Sequence, residues 1–578
     1  MTGEDKPKGG ISSFSIGLGD GTHQAAPVSP APPFRVLIAG DFGLAAGREP
    51  MNITGLDTEE LLEPHRPEFT VRAANLLGSH PAELEEHVAF KSLKDLRPRE
   101  IFRKFRFVTE LEGADAESLA THGQTYDKVV AAIEAERSQG LPAERDLPEP
   151  DTNAPSGGKD GLDGLFSMMD TSANENEPSD PASRAKSAVD AFIQRTLRED
   201  SRASETRESG KPAQAKELSP VSALVNAQSA LFFDSAKLRT VLKNWHSLKL
   251  LLSEIPFTLP LELHLLQLDH DLDPLTLAGL VIGPQGALQA ELYNVVLFAN
   301  PTGLSGQDAD ALKVVAKGCV EADTVGMVSL DAGFAGVAGE ELASMDAAGQ
   351  LLEEPGFEGY QGLRETDAAA HLSLFWNEAR LTEEDTAWPA IFASSAWIAL
   401  AEILTGLETE IFPRVPVGTP VDFDALEVAE SRAMGKAVAT AARFLAGPGT
   451  APSLAQCGIN VMEGVANRTA LVFRRAVTLR PGKEGRGPLD QALLVSRLFT
   501  LFQEALGGAL SPGQSPEDRE AAVRDNLDRM SGSLGGQVSF QVKREAVEDQ
   551  DLINVTAAVL GGWAAGQQHT FYLPASDG

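Results

Sequence analysis

The sequence is poor in cysteine and in basic residues, and each shortage excludes a class of protein. Only two cysteines, Cys319 and Cys457, occur in 578 residues, so no disulfide framework is predicted and a reducing compartment fits. Acidic residues outnumber basic ones by 83 to 49, which gives a formal net charge of −34. Because phosphate backbones are bound through patches of lysine and arginine, nucleic-acid binding is not expected.

Long apolar runs are also missing. The longest, such as TAAVLGGWAAG, are too short and too rich in glycine to cross a membrane. The first residues, MTGEDKPKGG, lack the apolar run of a signal peptide. We therefore expect a cytoplasmic protein with no direct membrane insertion.

Catalytic motifs are absent as well. The sequence contains no GxxxxGK[ST], no HExxH and no GxSxG. A Gly-rich GLGDG at residues 17–21 follows a polar stretch, and the SxxK pattern of Ser183 and Lys186 falls where no pocket is expected. Histidines such as His264 and His371 have no Cys or His at metal-ligand spacing. The prediction is a protein that is not an enzyme, with no catalytic, cofactor-binding or metal residues.

What the sequence does contain is an unusual tether, residues 141–219, rich in Pro, Gly, Ser and acidic residues. Two apolar islands interrupt it, and both have the spacing of one helix face, which predicts helices at 162–170 and 184–198. The apolar positions are Leu162, Leu165, Phe166 and Met169 in the first and Val189, Phe192, Ile193 and Leu197 in the second. A short apolar helix in a solvated tether either docks on a partner or packs back on its own domain.

The tether separates two predicted modules. Residues 1–33 form a polar arm in which 11–18 alternate like a strand that is exchanged between subunits. Residues 34–140 predict a small, strand-rich α+β module, in which Asp95 caps a helix that contains Pro98. Residues 220–578 predict a larger α/β module with βαβ units and three antiparallel strands at its end.

Several finer expectations concern the larger module. A single amphipathic helix is predicted from Pro220 to Glu254, and its broad apolar stripe favours a core position for Trp245 over a surface anchor. Residues 331–370 read as loop, and 388–404 as one apolar helix. Period-two patterns at 551–560 indicate a second strand available for exchange.

Two blocks of residues carry a family resemblance. VAFKSLKDLRPREIF, with Phe90, Asp95 and Pro98, resembles the small subunit of the contractile sheath of type VI secretion systems. The helix with Leu238, Trp245 and Leu248 resembles the large subunit of the same sheath, as do the tether helices before it. The chain is thus similar to both subunits fused in one polypeptide.

The resemblance implies a sheath subunit that polymerises helically around an inner tube and contracts to drive that tube outward. It implies a homo-polymer, an inner tube protein and a baseplate as partners. It also implies that a Clp-type ATPase captures the helix of Leu162, Leu165, Phe166 and Met169 to disassemble the sheath. The alternative is a non-contractile adaptor or baseplate-associated protein with a sheath-like fold, and a third reading is an enzyme whose site has no recognised motif.

Overall fold

The computed structural model describes most of the predicted modules. The described residues are 31–45, 49–112, 116–139, 219–256, 258–283, 286–433, 436–480, 488–507, 514–547 and 550–575. The arm at 1–30 and both predicted tether helices lie outside them. The chain divides into two compact units, one with residues 33–503 and 562–564, the other with 504–561 and 565–578.

The larger unit contains both strands and helices. Its strands are β1 (Phe34–Gly40), β2 (Met51–Asn52), β3 (Glu68–Ala74), β4 (Glu83–Ala89), β5 (Leu261–Gln267), β6 (Val295–Thr302), β7 (Val325–Leu330), β8 (Leu372–Trp376), β9 (Glu378–Arg380), β10 (Phe392–Ser394), β11 (Ala429–Ala433), β12 (Lys436–Thr440), β13 (Ile459–Gly464) and β14 (Leu471–Phe473). Its helices are α1 (Thr58–His65), α2 (Pro98–Lys104), α3 (Arg106–Glu112), α4 (Ala116–Thr121), α5 (Asp127–Gln139), α6 (Pro220–Phe233), α7 (Ala236–Glu254), α8 (Pro274–Val281), α9 (Ala287–Ala290), α10 (Gly306–Glu321), α11 (Gly339–Ser344), α12 (Glu358–Arg364), α13 (Ser395–Gly406), α14 (Thr450–Gln456) and α15 (Pro488–Leu506).

An eight-stranded sheet organises this unit, in the order β14-β13-β8-β7-β6-β1-β5-β2. The six inner strands run parallel, and β14 and β2 close the edges in the antiparallel sense. Strand β1, from the first predicted module, lies between β5 and β6 of the second, with Phe34 opposite Leu261 and Val36 opposite Val295. The predicted modules 34–140 and 220–578 are therefore joined in one sheet.

Helices cover both faces of this sheet. Because side chains alternate along a strand, Val36 and Ile38 enter the apolar core beneath α7 and α13, while Leu37 enters the core beneath α10. Strands buried on both faces need continuous apolar runs, which explains sequences such as FRVLIAG and VGMVSL. The predicted α/β class with parallel βαβ units is confirmed.

Three local predictions are wrong. The helix expected over residues 220–254 is broken at Asp234, because Ser235 starts a new helix by accepting a hydrogen bond from the Leu238 amide. The apolar helix expected from residue 388 begins only at Ser395, since residues 392–394 pair with β9 as a strand. Residues 331–370, read as loop, include α11, α12 and 3-10 turns at Ala348–Glu353 and Asp367–His371.

The C-terminal unit contains helix α16 (Pro516–Ser533) and the strands β15 (Val538–Val547), β16 (Gln550–Val559) and β17 (Gln568–Pro574). The three predicted antiparallel strands are confirmed, with β16 hydrogen-bonded between β15 and β17. Residues 551–560 thus belong almost entirely to the central strand. The expectation that they are free for exchange is wrong, because both edges of β16 are already occupied.

Trp245 lies in the core of the larger unit, where 1% of its surface is exposed. Its Nε1 donates to the carbonyl oxygen of Phe42 at 2.8 Å, and the two rings meet edge to face at 5.5 Å. Residues 219–578 alone lack both Phe42 and β1. The contribution of Trp245 to the free energy of unfolding must therefore be measured in the full chain.

We expect Trp245→Ala to lower the free energy of unfolding of the full chain by about 3–5 kcal/mol, through lost burial and a cavity. Trp245→Phe keeps a ring but leaves the Phe42 carbonyl without its donor, at a cost of about 1–3 kcal/mol. Urea unfolding of the three proteins measures both values. Equal stability of all three would place Trp245 outside the structural core.

Candidate functional site

Polar side chains converge on Asp41 where β1 and β5 end. Carboxyl ends of parallel strands meet at one edge of a sheet, which is the usual place for binding sites in α/β folds. Asp41 is fully buried, and its carboxylate accepts from Lys237 Nζ at 2.7 Å, from Gln267 Nε2 at 3.0 Å and from the His270 amide at 3.1 Å. The carbonyl oxygen of Asp41 accepts from Asn244 Nδ2 at 2.9 Å.

A cavity of about 120 Å³ lies beside this network. Its polar lining comes from Asp269, His270, Asn300, Thr302 and Asp308. The volume is well below the roughly 300–1,000 Å³ of ordinary ligand pockets. The carboxylate of Asp41 is also already satisfied by donors of the protein, so the arrangement fixes the turn after β1 rather than offering a reactive group.

The sequence analysis did not identify Asp41, although the sequence carries a signal for its position. An acidic residue directly after a buried strand, as in FRVLIAGDFG, sits at the carboxyl edge of a parallel sheet. Its partners Lys237 and Gln267 are some 200 residues away in sequence, and no local pattern marks them.

The block around Phe90 forms a second cluster. Phe90 is fully buried and packs edge to face on Phe69 at 6.0 Å, while Pro98 is the first residue of α2. The predicted cap role of Asp95 is wrong, because Asp95 lies in the preceding 3-10 turn, Leu93–Leu96, and Arg97 is at the N-cap of α2.

Asp95 instead closes its own turn. Its carboxylate accepts from the amides of Lys91 at 2.8 Å and Ser92 at 3.0 Å, and it pairs with Lys104. Burial opposes the charged form, but the hydrogen bonds from Lys104 and these amides hold the pKa of Asp95 below its usual value.

The two blocks that carry the family resemblance meet at helix α7. Leu238, Trp245 and Leu248 are buried on it, and the His246 ring bonds the carbonyl oxygen of Leu96 through Nε2 at 2.9 Å. Burial lowers the pKa of His246 to about 4, so the ring is neutral at pH 7 and Nε2 carries the proton it donates. Helix α7 thus contacts both the turn after β1 and the block around Phe90.

The same helix holds a buried ion pair. Lys243 pairs with Glu378 at the start of β9, and Arg443 Nη1 reaches the same carboxylate at 2.5 Å. Burial alone would raise the pKa of Glu378, but the two cations hold it below its usual value. Removing one of these charged side chains would leave an uncompensated buried charge and destabilise the fold. The role of this cluster is therefore structural.

Other reactive residue types are buried without partners suited to chemistry. Burial raises the pKa of the Cys319 thiol to about 12 and also raises that of Cys457, so neither is a thiolate at neutral pH. Burial likewise raises the pKa of Glu402 well above its usual value, and neither carboxyl oxygen has a hydrogen-bond partner within the described chain.

Two features are absent from the described residues. These residues contain no group of three or more His, Cys, Asp and Glu side chains placed to hold a metal ion. No helix among them is long and apolar enough to cross a membrane. The docking residues Leu162, Leu165, Phe166 and Met169 lie outside the described residues, so their role stays a prediction.

Comparisons with known proteins give distant structural matches. No protein-family model and no curated protein matches the chain. The chain is similar to the contracted sheath of an extracellular contractile injection system, PVC, with 11% identity and a TM-score of 0.31 over 58% of this chain and 77% of that one. The contracted helical sheath of the anti-feeding prophage gives 12% and 0.32 over 57% and 78%. A sheath tail protein from Listeria innocua gives 10% and 0.31 over 53% and 61%. At this distance, none of them assigns a role to a residue of this chain.

The contact between His246 and Leu96 predicts a pH dependence of stability. The unfolded His246 takes up a proton below pH about 6.5, whereas the folded one resists until pH about 4. Stability present above pH 6.5 is therefore lost as the pH falls towards 4, by at most about 3 kcal/mol.

His246→Gln keeps a donor for the Leu96 carbonyl but cannot be protonated. Urea unfolding at pH 7.5 and pH 5.0 should show wild type losing stability relative to this variant. His65→Gln, at an exposed histidine, is the matched control and should follow wild type. A constant difference between wild type and His246→Gln at both pH values would contradict the assignment.

Proposed function

We propose that this chain is a structural subunit of a contractile sheath, in which segments like the small and the large sheath subunits are fused. It polymerises helically around an inner tube and does mechanical work rather than catalysis. The supporting observation is the shared sheet: β1, from the small-subunit-like segment, is hydrogen-bonded between β5 and β6 of the large-subunit-like segment. A subunit that transmits force must hold its parts together, and an inner strand of a parallel sheet does so with two ladders of backbone hydrogen bonds.

The polar clusters support the same role. Asp41, Asp95 and Glu378 are each occupied by cations or amides of the protein itself. Asp41 and Glu378 join α7 to the strands, and Asp95 closes its own turn, so none of the three faces a substrate. Contraction in this proposal draws on two alternative packings of one interface between subunits.

The C-terminal sheet supplies a candidate assembly surface. Within the described residues, the outer edges of β15 and β17 pair with no further strand. Unpaired strand edges accept another strand through backbone hydrogen bonds. We propose that the alternating residues 11–18 of one subunit add to such an edge on another subunit.

Deleting residues 2–30 should give a folded protein that no longer forms tubes, as seen by negative-stain electron microscopy. The deletion spares Pro33, whose carbonyl oxygen accepts from Arg497 at 2.9 Å. Ile16→Pro should shorten or abolish tubes, because proline removes a backbone donor from the added strand. Gly9→Pro, outside the alternating residues, is the control. Tubes of normal length from the deletion would contradict strand exchange, and discrete particles from wild type would favour the adaptor alternative.

The predicted docking helix gives a second test. Each apolar anchor buried in a groove contributes roughly 1.5–3 kcal/mol. Replacing Leu165 and Phe166 with Ala in a labelled 155–175 peptide should therefore weaken binding to the N-domain of a Clp-type ATPase by about 100-fold or more. Met168→Ala, off the apolar face, is the matched control. Equal affinities of the wild-type and double-Ala peptides would remove the docking role.

A further inference from the structure

A second cavity, of about 230 Å³, opens between strand β4 and helix α2. Its apolar wall consists of buried side chains: Val88, Phe90, Ile101 and Phe105. The volume exceeds the roughly 150 Å³ that accommodates a benzene molecule in an engineered protein cavity, so a single aromatic side chain fits. Apolar walls around unfilled space lose packing contacts, which favours an occupant.

The rim of this cavity carries a net positive charge of about one, from Lys91, because Lys104 pairs with Asp95 and His87 lies 3.9 Å from Glu68. His87, Lys91 and Lys104 line it together with Asp95. The negative charge of Asp95 is already balanced by its ion pair with Lys104 and by hydrogen bonds from two amides. Exposed Lys91 therefore favours an occupant that is apolar with acidic flanks.

The chain itself carries one such sequence. Residues 159–170 place Leu162, Leu165, Phe166 and Met169 among three aspartates and one lysine. The second apolar island fits less well, because Arg184, Lys186, Arg195 and Arg198 surround it and would face the lysine rim. Charge complementarity thus selects the first island over the second.

The helix that precedes the tether, α5, begins next to α3, which is hydrogen-bonded to β4 at the cavity. Tyr126, just before α5, donates to Glu110 of α3, and the first amide of α3 donates to Glu86 of β4 at 2.7 Å. The 22 residues between the end of α5 and Leu162 would span about 26 Å as a flexible chain. Tethering over such a length gives an effective concentration on the order of millimolar, enough to fill a site of modest affinity.

We propose that the cavity between β4 and α2 binds residues 162–169 of the same chain, with Phe166 in the cavity and the aspartates at the lysine rim. This contact is autoinhibitory, because it covers the apolar residues that any outside partner of the tether would need. The inference does not rest on the proposed sheath function, since a chain that forms no tubes can still close its cavity in this way.

The test compares two full-length proteins, wild type and Leu165→Ala/Phe166→Ala, for binding of a fluorescent 158–172 peptide. In wild type the tethered copy competes, so the peptide should bind about tenfold more weakly than to the double variant. Added to the double variant, Lys91→Glu should weaken peptide binding, while Lys94→Glu, the same charge change at an exposed neighbour, should not. A 184–198 peptide should bind to neither protein.

Four results would overturn the proposal. The first three are no binding of the peptide to the double variant at millimolar concentration, equal binding to both proteins, and an equal loss of affinity with Lys94→Glu and Lys91→Glu. A competition that fades when wild type is diluted would assign the occupant to a second copy, which also contradicts a contact within one chain. Melting temperatures of the variants, expected to match wild type, exclude misfolding as the cause.

Discussion

The parallel hydrogen bonds of β1 with β5 and β6 are the interaction on which the rest of this fold depends. They join two stretches of sequence separated by the tether, residues 141–219. Closing a loop of that length costs about 4 kcal/mol of chain entropy. Burial of Val36, Leu37 and Ile38 contributes roughly 1.5–3 kcal/mol each, which is enough to offset that cost. The long tether is therefore compatible with a single folded unit.

Helix α7 connects the turn after β1 to other parts of the larger unit. Along its length it contacts the turn after β1 through Lys237, Asn244 and Trp245. It contacts β9 through Lys243 and the Phe90 block through His246. A displacement of β1 would therefore disturb one buried ion pair and several buried hydrogen bonds together. Rigid coupling of this kind fits the proposed role, in which work is done between subunits and not within them.

Much of the fold could be predicted from the sequence, because buried parallel strands and amphipathic helices have strong periodic signals. The strands at residues 261–267 and 295–302 and the helix at 306–321 are of this kind. The place of β1 in the sheet could not be predicted, because its partners lie more than 200 residues away. Any buried apolar strand would show the same sequence pattern, so the pattern does not identify its neighbours. The burial of Lys243 could not be predicted for a related reason. A lysine on a helix is normally expected to face solvent, and the partner that allows its burial, Glu378, is 135 residues away. The break at Asp234 did have a signal, since Ser235 is a good helix cap, but the continuous apolar stripe across it favoured a single helix.

Cutting the tether tests the central claim most directly. A specific protease site placed at residues 203–209 would separate β1 from β5 and β6 in the chain without touching a described residue. If the two segments share one sheet, both fragments should elute together on size exclusion in native buffer and separate only in denaturant. Fragments that separate in native buffer, each still folded, would show two independent modules joined by a linker and would contradict the account.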